Sequence, residues 1–308
     1  MLDIFLRTLP FFLIIGTGWL AGHTRFFPQE ATAWLTKFVF YFALSAMLFR
    51  FAAGLDVRRL FDAPFFMAYL TGTLALWLLA MAVARWRRLP LAEAAMESHS
   101  AVTGNTGFLG VPMLVVLLGQ AAIGPVMMVL AIDLVIFSAL LTLLVTAARH
   151  GRGLASALVP LVRGVVANPM IVSMVAGLGW AWLRLPMPRP ADEFLSLLGA
   201  AATPGALFAI GASLAGRRAE RLAPALWISL AKLVLHPLAV GTAALAIFDV
   251  QPFAAGVMIA AASLPVAGNV YILAQHFGVA AHRVSTAILV STAASILTLP
   301  FVIHWVGG

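Results

Sequence analysis

The chain has 308 residues, 63% of them hydrophobic and 10% charged, with a mean hydropathy of +1.03, where a soluble domain carries about 45–50% apolar and about 25% charged residues. A water-soluble globule is excluded, and at about 20 apolar residues per crossing the chain fills up to roughly ten helical spans. The formal net charge of +8 therefore belongs to loops, since Lys and Arg of membrane proteins collect on the cytoplasmic side, and not to nucleic-acid binding.

The chain has no cysteine, so disulfides, thiolate metal sites and a Cys nucleophile are excluded, and no metal or cofactor is implied. The N-terminal stretch from Leu2 to Ala21 carries Asp3 and Arg7 and lacks a small-residue cleavage site. It reads as a first helix and not as a signal peptide.

Charge, Pro and Gly clusters then divide the chain into expected spans near Ile4 to Ala21, Trp34 to Ala53, Pro64 to Ala84, Leu91 to Leu118 and Ile123 to Ala148. After the polar stretch from Arg149 to Gly153 come spans near Asn168 to Leu183, Phe194 to Ala215, Ala223 to Phe248, Pro252 to Phe277 and Ala280 to Trp305. The segment from Leu154 to Val166, with Pro160 and Arg163, is expected to be an interfacial entry to the sixth span. The expected architecture is all-α and polytopic, with ten transmembrane helices.

The two sets of five superpose in register. Gly16, Gly18 and Trp19 fall 161 positions before Gly177, Gly179 and Trp180, and Gly107 falls 161 before Gly268. One register holding through several spans favours an internal repeat, with residues 1–150 and 151–308 as its copies. An odd number of spans per copy inverts the second, a construction common in secondary transporters. The loops after odd-numbered spans carry Arg25, Arg85, Arg87, Arg88, Arg149, Arg152, Arg217, Arg218, Arg221 and Arg283. The other side carries Arg7, Arg50, Arg58, Arg59, Arg184 and Arg189. The richer side is cytoplasmic by the positive-inside rule, which puts both termini outside.

The fourth and ninth spans contain what a lipid-facing helix excludes. The run from Gly104 through Asn105, Thr106, Gly107 and Gly110 to Pro112, and its counterpart Leu264, Pro265, Val266, Ala267, Gly268, Asn269, should each interrupt a helix. Opened backbone at bilayer depth is tolerated only where protein or a water-filled cavity covers it, and paired breaks in two halves point to a transporter's binding site. Half-helix N-termini present unpaired N–H groups and a positive dipole end, and the amides of Asn105 and Asn269 can bond a carboxylate. Such a crossing is suited to a small organic anion. The competing explanation is close helix packing at Gly and a kink at Pro.

At these residues the sequence resembles the auxin efflux carrier family, whose bacterial members are often described as malonate, malate or other organic-acid permeases. The resemblance is carried by the Asn-Thr-Gly-x-x-Gly-x-Pro run from Asn105 to Pro112, the Leu-Pro-x-x-Gly segment from Leu264 to Gly268, and Phe-x-x-x-Phe-x-Leu-Ser-Ala-x-Leu-Phe from Phe38 to Phe49. It implies ten spans in inverted repeats, with a scaffold of the first, second, sixth and seventh spans and a transport bundle of the others. It further implies a homodimer through the scaffold and elevator-like movement of the crossing site. By position, Asn105 would be the substrate-contacting amide and Pro265 the crossing proline. Gly104 stands where plant members have proline, and Ser45 where many members have a second-span proline.

Ionisable residues inside spans are functional candidates by default. Asp133 in the fifth span and Lys232 and His236 in the eighth fall in the transport bundle of the resemblance, and the last two share a helical face. They could line a path for an anion, relay a proton or sodium ion, or simply tie helices together. Glu97 and His99 could line a cytoplasmic entrance, while Lys37 can snorkel to the interface. An intramembrane enzyme is disfavoured: Gly211, Ala212 and Ser213 are followed by Leu214 instead of the Gly of a rhomboid-type protease, and no His-Glu-x-x-His occurs. A sodium- or proton-coupled symporter or antiporter of the bile-acid or sodium–proton fold shares the implied architecture, but generally places acidic residues at the crossing.

Overall fold

The computed structural model describes residues 2–56, 62–150, 162, 164–215 and 222–307, and the description below concerns these. Arg58, Arg59, Arg152, Arg163, Arg217, Arg218, Arg221 and the stretch expected to be interfacial up to residue 161 lie outside them. The described residues are helical throughout, with one isolated β-bridge and no strands.

The helices are α1 (Leu2–His23), α2 (Gln29–Ala53), α3 (Ala63–Trp86), α4 (Leu91–Val102), α5 (Thr106–Leu118), α6 (Gln120–Ala148), α7 (Pro169–Trp182), α8 (Arg189–Ala215), α9 (Leu222–Ile247), α10 (Pro252–Ala262), α11 (Gly268–His276) and α12 (Ala281–Gly307). Seven of them, α1, α2, α3, α6, α8, α9 and α12, are long and apolar enough to cross a membrane. Several start on the same local chemistry, a polar side chain bonding an orphan backbone N–H ahead of a Pro in the first turn. Asp62 accepts from Phe65 N at 3.1 Å, Asn168 from Met170 N at 3.0 Å and Gln251 from Ala254 N at 3.0 Å.

Two backbone contacts explain the glycines of α1 and α8. A β-carbon at Gly18 would sit 2.1 Å from the carbonyl oxygen of Phe208, and one at Gly211 would sit 1.9 Å from that of Ile15. The helices touch backbone to backbone, the close approach that small residues permit where lipid removes any hydrophobic drive between helices. Helix α2 packs on α7 and α8 and is tied to the latter by a two-point ion pair, with Arg50 Nε 2.7 Å and Nη2 3.2 Å from the Asp192 carboxylate.

The most buried elements are the broken ones. Every residue from Ala94 to Val102 in α4 and from Ala255 to Ala262 in α10 is buried, which is why α4 tolerates Glu97, Ser98, His99 and Ser100 in succession: none of them meets lipid. Helices α3 and α6 pack against α4, and α12 packs against α9, α10 and α11. Five segments widen into π-helical turns, at Val39–Ala43, Thr106–Gly110, Asp133–Phe137, Ala231–Leu235 and Ala243–Ile247. Pro112 and Pro237 each follow one closely. A proline clashes with the carbonyl four residues back and donates no N–H, so a widened turn ahead of it lets the helix continue.

Candidate functional site

The site forms where two helices open. The break between α4 and α5 is only residues 103–105, and that between α10 and α11 is residues 263–267. Gly107, Gly110 and Pro112, expected to prolong the first interruption, are helical. The two open segments run antiparallel against each other. Asn105 N donates to Pro265 O at 2.9 Å, Ala267 N donates to Thr103 O at 3.1 Å, and Gly104 faces Val266 between them. A shift of 162 residues exchanges the two bonds, one more than the 161 read along the sequence. The physical reason is that the second break is two residues longer than the first, so one register cannot hold on both of its sides. Val266 N is satisfied from α12, donating to Ser291 Oγ at 3.1 Å.

Beneath the crossing lies a buried polar chain. A β-carbon on Gly104 would lie 3.1 Å from both Cε and Nζ of Lys232, so the absent side chain makes room for this lysine. Lys232 Nζ donates to the carbonyl of Ala262, the last residue of α10, and lies 3.1 Å from His236 Nδ1. A cation is favourable there, because the helix end carries unpaired carbonyls and the negative end of the dipole. A protonated Lys232 only donates, so His236 accepts at Nδ1 and carries its hydrogen on Nε2, 3.0 Å from the Thr73 hydroxyl. On the next turn of α3, Tyr69 packs its ring 5.9 Å from that of His236 and donates its hydroxyl to Asp133 Oδ1 at 2.8 Å. Asp133 Oδ2 is buried with no hydrogen-bond partner. Asp133 and Lys232 are joined by no ion pair among the described residues. Asp133 opens one π-helical turn and Lys232 lies in another, a feature frequent at functional sites.

Two cavities border the crossing. One, of about 700 Å³, lies between α2 and α8 on one side and Asn105, Phe108, Val266, Gly268 and Asn269 on the other. The second, of about 390 Å³, lies between α2, α6 and α7 and shares Thr36, Lys37, Phe108, Asn269 and Ile272 with the first. Asn105 is 5% exposed, and its side-chain oxygen, like that of Asn269, has no hydrogen-bond partner. Both asparagines line the larger cavity, where an amide N–H can donate to a bound molecule, while their side-chain oxygens are buried without a partner. Among the described residues no Asp, Glu or Arg lines either cavity, and Lys37 is the charged residue in both linings.

Residues 3–303 match the family model described as membrane transport protein. The chain is also 32% identical over 302 residues to a protein of Rhizobium meliloti (strain 1021) named "putative malonate transporter", covering 97% of this chain and 94% of that one. The chain belongs to the membrane transport protein family, the auxin efflux carrier family. Its members are transporters and not enzymes, and the apolar helices make this one a multi-pass membrane protein that carries a small molecule.

The remaining candidate residues of this transporter are placed as follows. Thr106 and Gly107 open α5, with the Thr106 hydroxyl 3.5 Å from Gly104 O and the methyl end of Met170 from α7 packed onto Gly107. Glu97 lines neither cavity. Its side chain is 1% exposed and ion-paired with Arg87 at 2.8 Å and Arg283 at 3.0 Å, and Arg283 also reaches Glu93 at 2.8 Å, so the cluster ties α3, α4 and α12. His99 is likewise buried away from the cavities, 3.2 Å from the Thr103 hydroxyl. Sequence reasoning missed Ser291, Thr73 and Tyr69, which carry no local signal because their partners lie on other helices. It read Lys37 as a snorkelling side chain, although a signal for more existed: a lysine inside an apolar span, in a chain whose 19 basic residues include only Lys37 and Lys232 as lysines.

Proposed function

We propose that this transporter moves small carboxylates, malonate-sized acids among them, through a site formed by Gly104, Asn105, Thr106, Gly107, Pro265, Val266, Gly268 and Asn269. The observation that supports this most is that Asn105 and Asn269, whose amide N–H groups can donate to a carboxylate, both line the larger cavity at the crossing, with no acidic side chain among the described lining residues. Neutral amides and half-helix N-termini bind an anion without requiring a compensating proton or metal. The name of the Rhizobium meliloti relative agrees with a carboxylate substrate.

In this reading the chain crosses a bacterial inner membrane ten times, in inverted five-helix repeats of residues 1–150 and 151–308, with both termini outside. A scaffold of α1, α2, α7 and α8 holds a homodimer, and the remaining helices carry the crossing across the membrane as an elevator. The Gly18 and Gly211 backbone contacts support α1 and α8 as one rigid wall. A second reading, proton coupling through Asp133, is favoured by its unpartnered carboxylate oxygen, with Lys232 and His236 holding the opposite end of the buried chain.

The test is uptake of radiolabelled malonate into proteoliposomes. The unsubstituted protein takes it up and Asn105→Ala does not; uptake unchanged by Asn105→Ala refutes the site, and no carboxylate uptake by the unsubstituted protein refutes the substrate class.

A further inference from the structure

Lys37 lies on α2, about 12 Å along the helix from Gln29 at about 1.5 Å per residue. Its ammonium stacks over the Trp34 ring, 4.3 Å from the centroid, and the residue lines both cavities beside the crossing. Among the described residues it makes no ion pair, and neither cavity lining contains an acidic side chain. Snorkelling would explain a lysine whose head reaches interfacial water away from any site, but not one shared by two cavities with Asn269 and Phe108. Lys37 is exposed to this space, and an ammonium with no acidic neighbour among the described lining residues attracts anions to it.

The division of labour between the two walls carries the argument. The amides of Asn105 and Asn269 are neutral and suffice for one carboxylate. A second carboxylate on the same small molecule needs its own partner when water is removed, and among the described residues of the opposite wall Lys37 offers the charge for it. We propose that Lys37 is a specificity residue that selects dicarboxylates over monocarboxylates by pairing with the second carboxylate. This rests on the organic-anion reading above.

The experiment compares malonate with its monomethyl ester, which keeps one carboxylate, at neutral pH in proteoliposomes containing the full chain. Lys37→Met should raise KM for malonate by roughly tenfold or more, the scale of losing one charge-assisted contact, and leave KM for the monoester within about twofold. Lys37→Arg should restore most of the preference. Monoester uptake by Lys37→Met serves as the control for folding, and Lys37→Gln carries the same comparison if Lys37→Met does not insert. An unchanged ratio of the two KM values, or an equal rise in both, overturns the proposal. Failure of the unsubstituted protein to take up either anion overturns the organic-anion reading and this inference with it, and is distinguished by appearing before any substitution is made.

Discussion

The backbone N–H of Asn105 donates to the carbonyl of Pro265 at 2.9 Å. The residue that offers its side chain to the cavity is thus held by its main chain to the opposite break, and binding and architecture use different atoms of one residue. Asn105→Ala should therefore abolish malonate binding while keeping the crossing, since the backbone bond survives and the side-chain oxygen bonds nothing. Thermal unfolding in detergent should shift by an amount corresponding to no more than about 1 kcal/mol, within the range of substitutions that break no buried contact. A large loss of stability would show that the amide is structural.

The α1–α8 contact predicts a contrast between neighbouring glycines. Gly18→Ala forces a methyl against the Phe208 carbonyl and should cost about 1–3 kcal/mol or more. At Gly16 a β-carbon meets nothing within 4 Å, so Gly16→Ala should be neutral or stabilising by up to about 1 kcal/mol through helix propensity. Melting temperatures of the two variants in the same detergent check this; equal effects would refute the backbone contact.

Ser291→Ala removes the acceptor for the N–H of Val266 in the break between α10 and α11. An unsatisfied buried donor costs about 1–3 kcal/mol, concentrated at the crossing. Uptake should fall more steeply than stability, measured as transport rate against melting temperature on the same preparation.

Malonate uptake should be electrogenic and insensitive to sodium, because the described residues of the site offer a dianion neutral and cationic groups and no carboxylate cluster that would hold sodium. Setting the membrane potential with a potassium ionophore, with and without sodium, measures both properties. Strict sodium dependence would move Asp133 into a coupling role, and Asp133→Asn would then abolish that dependence.

The membrane class and the interruptions at Gly104–Asn105 and Pro265–Ala267 follow from sequence alone, for a local reason, although Gly107, Gly110 and Pro112 lie in helix. Apolar runs of span length cannot stay in water, and Gly, Pro and Asn inside such a run make a continuous lipid-facing helix costly. What those residues do to one another was settled only in three dimensions. Gly104 pairs with Val266, a separation of 162 and not the 161 read along the sequence, because the two breaks differ in length. Glu97 turns from an entrance candidate into the centre of an ion-paired cluster, because Arg283 arrives from a helix 186 residues away. Lys232 finds the end of α10 through the space Gly104 leaves. Lys37, read from its own helix as a snorkelling lysine, lines the cavities because the crossing lies across from that face of α2. Hydrophobic periodicity and helix breaking act over a few neighbours in the chain, whereas contacts between ionisable groups depend on which helices pack together.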